Sequence, residues 1–110
     1  MEIVRTGPYQ RGLKRLEKLG ATERDIDRME REIASNPEIG DVIQGTGGMR
    51  KVRFGYGGTG KRGGGRTIYY AVLEDETIYL LTVYAKADRS DVAADEKRLL
   101  KALVKELTDG

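Results

Sequence analysis

The hydrophobic period of this chain changes once, near its middle, and that change decides the fold class. In the first third, apolar side chains return every three or four positions: Tyr9, Leu13 and Leu16, then Ile26, Met29 and Ile33. From Met49 onward they alternate or run together in segments rich in Val, Ile, Tyr and Thr, which is the habit of strands. The first pattern predicts two helices after a short opening strand over Glu2–Arg5. Pro8 suits a first helical turn, Gly20 a left-handed stop, and Thr22 with Asp25 a capping box. Asn36-Pro37 ends the second helix, and the two form an antiparallel hairpin. The second pattern predicts strands over Met49–Phe54, Arg66–Leu73 and Thr77–Ala85, with Glu74-Asp75-Glu76 as a polar turn. Thr77–Ala85 is apolar on both parities and reads as the central strand. Ser90 caps a last helix to about Leu107, whose Val92, Leu99, Leu100, Leu103 and Leu107 form a stripe against the sheet. The order is β-α-α-β-β-β-α. It defines an α+β fold with an antiparallel sheet, an N-terminal helical hairpin and a C-terminal helix, as one domain over residues 1–110.

Charge is distributed unevenly over that frame. Between Val42 and Leu73 there is no acidic residue, but there are six basic ones: Arg50, Lys51, Arg53, Lys61, Arg62 and Arg66. Residues 1–41 carry a net −1 and residues 74–110 a net −3, so the middle, at +6, is strongly cationic on a chain of net charge +2. Such a focused field favours an anionic partner, a polyphosphate above all. In Met49–Phe54 the alternation puts Val52 and Phe54 on one face, Lys51 and Arg53 on the other, and Arg50 with the first pair.

Several function classes drop out. With no cysteine and no histidine, disulfides, thiolate metal sites and the usual acid/base side chain are excluded. Neither a metal nor a cofactor is expected. No apolar run reaches the length of a membrane span, and the expectation is a cytoplasmic protein. Gly55, Gly57 and Gly60 match a dinucleotide fingerprint, and Gly55 through Lys61 most of a phosphate-binding loop. Both motifs need a following helix, which the pattern here denies, and Arg62 stands where a Ser or Thr should bind magnesium.

The run Gly40-Asp41-Val42-Ile43-Gln44-Gly45-Thr46-Gly47-Gly48-Met49-Arg50-Lys51-Val52-Arg53, followed by Gly60-Lys61-Arg62-Gly63-Gly64-Gly65-Arg66-Thr67-Ile68-Tyr69-Tyr70 and Leu81-Thr82-Val83-Tyr84-Ala85-Lys86, resembles the HigB branch of the RelE toxin superfamily. The resemblance runs from Ile39 to Leu103. It implies the toxin of a type II toxin–antitoxin pair, an mRNA endoribonuclease that works on the ribosome. A cognate helix-turn-helix antitoxin of the HigA kind would silence it. It also implies site residues: Lys51 and Arg53 on one strand, Arg66 at the start of the next, and Lys86 in the loop after the last. Relatives add an arginine and a tyrosine where this chain has Ala87 and Ala93, which leaves Tyr84 as the nearest phenol.

The chemistry is consistent with those residues. RNA breaks without a metal when its 2′-hydroxyl attacks the adjacent phosphate, and fixed guanidinium groups stabilise the charge that builds there. A lysine among five other cations is expected to lose its proton more readily. Gly63-Gly64-Gly65 is expected to leave Arg66 open to an approaching phosphate, with a bulge needed to turn Arg66 toward Lys51 and Arg53. Arg50 is expected to make a structural or ribosomal-RNA contact, and Lys61 and Arg62 to bind backbone phosphates. The alternative reading is a catalytically inactive RNA- or ribosome-binding module of the same fold.

Overall fold

Thr22 accepts a hydrogen bond from the Asp25 amide (3.1 Å) and its own amide donates to the Asp25 carboxylate (3.0 Å), so the second helix begins with a closed capping box. That helix is α2 (Glu23–Ser35); it follows β1 (Glu2–Arg5) and α1 (Gly7–Lys18). The computed structural model describes residues 1–58 and 63–109. The remaining elements are β2 (Asp41–Val42), β3 (Arg50–Phe54), β4 (Gly65–Val72), a 3-10 turn (Leu73–Asp75), β5 (Thr77–Ala85) and α3 (Ala94–Asp109). Pro8 lies in the first turn of α1, and Gly20, at φ +107°, closes it in the left-handed region.

The strands of the described residues form one sheet in the order β1-β5-β4-β3-β2. Three pairings are antiparallel, as expected, but β1 runs parallel to β5, so the sheet is mixed. No hairpin joins β1 to β5: two helices and three strands intervene, and nothing local dictates the direction of β1 against β5. The middle strand is β4, with β5 between it and β1. The two-residue β2, inside the Gly40-Asp41-Val42-Ile43 run, was not expected as a strand.

Helices cover both faces. On one, Tyr9, Leu13 and Leu16 of α1 and Ile26, Met29 and Ile33 of α2 pack against Phe54, Tyr69, Ile78, Leu80 and Val83. On the other, Leu100 of α3 and Val92 before it pack on Met49, Ile68, Leu81 and Tyr84. The last helix departs from expectation at its start. It begins at Ala94, so Ser90 does not cap it, and Leu99 is 70% exposed. Its inward stripe is Leu100, Leu103 and Val104. The first helix docks unusually close: a Cβ on Gly12 would lie 2.1 Å from the Val83 carbonyl oxygen.

Candidate nucleic-acid interface

Strand register assembles the basic residues. Arg53 on β3 lies opposite Arg66 on β4, and Arg66 lies opposite Tyr84 on β5, one row across three strands. Lys51 faces Ile68 two residues along, on the same side of the sheet as the row and as α3. No bulge at the start of β4 is needed for this. The irregularity in the β4–β5 ladder falls later, between Ile68 and Tyr69, and leaves Leu81 as the extra residue.

Arg66 is 8% exposed, and its Nη1 donates to the carbonyl oxygens of Gly65 (2.9 Å) and Gly63 (3.2 Å). Among the described residues neither Arg66 nor Arg53 has a carboxylate partner, although like charges directly opposite each other in a sheet repel. Two of the glycines before Arg66 sit where a side chain would clash. A Cβ on Gly63 would lie 2.1 Å from the Phe54 carbonyl oxygen, and one on Gly65 2.4 Å from the Phe54 ring. Gly63 and Gly65 let the chain return tightly along the end of β3.

Tyr84 is buried, and among the described residues its hydroxyl has no hydrogen-bond partner. The Arg89 guanidinium sits over its ring, 4.4 Å from the centroid. Burial pushes the phenol's pKa up, Asp91 and Glu96 add to this, and Arg89 and Arg66 oppose it, so at neutral pH Tyr84 keeps its proton. Arg89 is itself held by Glu96 of α3, one contact being 3.1 Å. Lys51 reaches the Asp91 carboxylate at 3.2 Å. The nearest charge to that lysine is therefore an anion, unlike the purely cationic surroundings expected for it. Asp91 also accepts the Val92 amide at 2.7 Å; that bond first, and Lys51 after it, holds its carboxyl below the usual range.

Other expected site residues are placed differently. Lys86 is exposed just past β5, where its amide donates to the Gly64 carbonyl (2.6 Å) and ties the β5–α3 connection to the start of β4. Arg50 lies on the opposite face from the row. Its Nη1 donates to the carbonyls of Gly40 (2.8 Å) and Glu38 (3.3 Å), and the Tyr69 hydroxyl donates to Pro37 O (2.7 Å) nearby. These bonds pin the segment leading into β2. Lys61 and Arg62 lie outside the described residues. Nothing in the sequence marks Arg89, Asp91 and Glu96 as neighbours of the basic strands. Among the described residues no group of three or more His, Cys, Asp or Glu side chains is placed to hold a metal ion, and no helix is long and apolar enough to cross a membrane.

A small α+β domain that sets arginines without a carboxylate partner among the described residues side by side on one sheet face, beneath a C-terminal helix, defines the class. The family described as the RelE toxin of the RelE/RelB toxin–antitoxin system matches residues 22–109, and the chain belongs to that family. The fold has solved counterparts. The isolated E. coli RelE toxin is similar at 17% identity, with a TM-score of 0.55 over 93% of this chain and 97% of that one. A doubly substituted E. coli RelE in the free state is also 17% identical, with a TM-score of 0.53 over 81% of this chain and 86% of that one.

Proposed function

We propose that this toxin is a ribosome-dependent mRNA endoribonuclease of the HigB-like branch, silenced by a helix-turn-helix antitoxin and acting in the cytoplasm, where its ribosomes are. The observation that carries the reading is the Arg53–Arg66 pair: two arginines at directly opposite positions of the β3–β4 ladder, one of them buried, with no carboxylate partner among the described residues. Burying an uncompensated charge is costly, and a bound phosphate removes that cost. Arg binds phosphate oxygens in a bidentate manner and keeps its charge at every working pH.

In this mechanism the 2′-hydroxyl of the message gives up its proton to solvent and attacks the adjacent phosphorus, and the 5′-oxygen leaves and takes up a proton, giving a 2′,3′-cyclic phosphate and a 5′-hydroxyl. Arg53, Arg66 and Lys51 hold the non-bridging oxygens as charge gathers on them. Tyr84, protonated and next to Arg66, is the phenol available as a hydrogen-bond donor once the groups covering it shift. Lys86, Lys61 and Arg62 grip neighbouring backbone phosphates. The ribosome supplies the remaining alignment, which explains how a chain without histidine can do this chemistry.

The buried Tyr84 hydroxyl favours a second reading, an RNA- or ribosome-binding module that does not cut. One experiment separates the two. Purified toxin is added to ribosomes stalled on a defined message, and cleavage is read by primer extension, with naked RNA alongside. The proposal expects cleavage in the ribosomal A site and little cutting of free RNA. Ribosome binding with no cleavage at any concentration establishes the second reading. Equally fast cutting of free RNA refutes the dependence on the ribosome.

A further inference from the structure

Lys51 belongs to the cationic face, but its own strand does little to aim it. A lysine carries its charge at the end of a flexible four-carbon stem. Its partner across the ladder, Ile68, is apolar and fully buried, so it offers the ammonium no hydrogen bond. Among the described residues the acceptor that Lys51 finds is Asp91, at 3.2 Å.

That acceptor is anchored to the core although it lies in an exposed stretch. Lys86, Ala87, Asp88, Ser90 and Asp91 are exposed in the β5–α3 connection, whereas Val92 is 5% exposed and packs with Met49, Ile68 and Leu81. The same Asp91 oxygen that receives Lys51 also accepts the Val92 amide at 2.7 Å. The carboxylate is therefore fixed to backbone that the core holds in place, and through it the core holds the ammonium. Asp91 also lies near enough to the row formed by Arg53, Arg66 and Tyr84 for its charge to be felt at the Tyr84 phenol.

We propose that Asp91 is a positioning residue: anchored through Val92, it aims the Lys51 ammonium at the phosphate held by Arg53 and Arg66. This rests on the ribonuclease reading above. Asp91 touches neither the phosphate nor the leaving group. It acts by removing the freedom of Lys51, so that the third cation need not be ordered as the reaction proceeds. An ionised carboxylate in this place also weakens the attraction of the face for RNA. Its removal therefore has opposite effects on rate and on binding, which a purely architectural residue would not produce.

The test is Asp91→Asn, which keeps an acceptor for the Val92 amide and loses the charge. Single-turnover cleavage at saturating ribosome is expected to fall about 10-fold, while the half-saturating concentration stays level or drops. Asp91→Glu is expected to recover part of the rate. In a Lys51→Ala background Asp91→Asn is expected to change nothing further. Apart from activity, the two Lys51 ε-methylene protons are expected to be distinct by NMR in the wild type and to merge in Asp91→Asn. Merged signals in the wild type, additive rate losses in the double variant, or an Asp91→Asn protein that binds tighter and cuts faster would each overturn the assignment. A wild type that leaves ribosome-bound message intact brings down the ribonuclease reading, and this inference with it. A wild type that cuts, matched by Asp91→Asn, brings down this inference alone.

Discussion

Replacing Arg66 separates the chemistry of the site from its architecture. The side chain is 8% exposed and donates two hydrogen bonds, of 2.9 and 3.2 Å, to backbone carbonyls. Bonds from a charged donor contribute about 1.5–3 kcal/mol each. Against them stand several kcal/mol for desolvating a guanidinium that has no counter-ion among the described residues, and its repulsion of Arg53 across the ladder. The opposing effects are of the same size, so Arg66→Met, which keeps most of the stem, is expected to change stability by no more than about 2 kcal/mol. At about 4 °C per kcal/mol for a chain of this length, the Tm moves by less than about 8 °C. The cleavage rate behaves differently. A donor aimed at charge that develops only in the transition state is worth about 10²–10³ in rate. Arg66→Lys restores the charge without the planar fork and is expected to recover only part of that. Single-turnover cleavage on programmed ribosomes and thermal melting of the same preparations read both effects. A folded Arg66→Met protein cutting within about threefold of wild type would remove Arg66 from the site. A Tm loss beyond about 15 °C would make it an architectural residue instead.

Gly12→Ala brings a methyl group 2.1 Å from the Val83 carbonyl oxygen and 2.8 Å from its Cγ1, so α1 has to back away from β5. The expected loss is about 1–3 kcal/mol or more, and a variant that melts within a degree of wild type would show that the helix docks more loosely than described. Stability is also expected to decline in acid. Asp25, Asp88 and Asp91 all have carboxyl pKa values held below the ordinary range, mainly by backbone hydrogen bonds at Asp25 and Asp91 and by Arg15 at Asp88. Their contributions are complete above the unfolded value of about 4 and vanish as pH falls through the lower folded values. Denaturant unfolding from pH 6 down to 2 is expected to show this decline, with Asp25→Asn removing part of it; a flat profile would refute it.

Local chemistry was enough to read the helices from the sequence. Thr22 and Asp25 close their capping box within four residues, and Gly20 stops α1 because no distant group is involved in a left-handed φ. The sheet was readable in its hairpins and unreadable in its remainder. Adjacent strands joined by Glu74-Asp75-Glu76 had to be antiparallel, but the direction of β1 depends on a pairing of Glu2 with Thr77 that no turn enforces. Leu99 and Leu100 are indistinguishable by residue type, and only the position of the helix on the sheet turns one to solvent and buries the other.

The site divides along the same line. That Lys51 and Arg53 share a face follows from the two-residue period of a strand. That Arg66 joins them follows from the β3–β4 register, which pairs Arg53 with Arg66 and Phe54 with Gly65. The close contact between Gly65 and the Phe54 ring helps explain that register, because any larger residue at 65 would push the strands apart. The counter-charges follow from neither. Asp91 meets Lys51 across forty residues of sequence, and Glu96 meets Arg89 only because α3 starts at Ala94, later than its sequence pattern indicates. A net charge of +6 over the middle segment therefore overstates the field an RNA strand would meet. An acid from the β5–α3 region, Asp91 at Lys51, tempers its margin, while Arg53 and Arg66 stand without carboxylate partners among the described residues at its centre. Attraction is then strongest where the scissile phosphate would sit. That is the distribution expected of a surface that must hold one phosphate more firmly than those on either side of it.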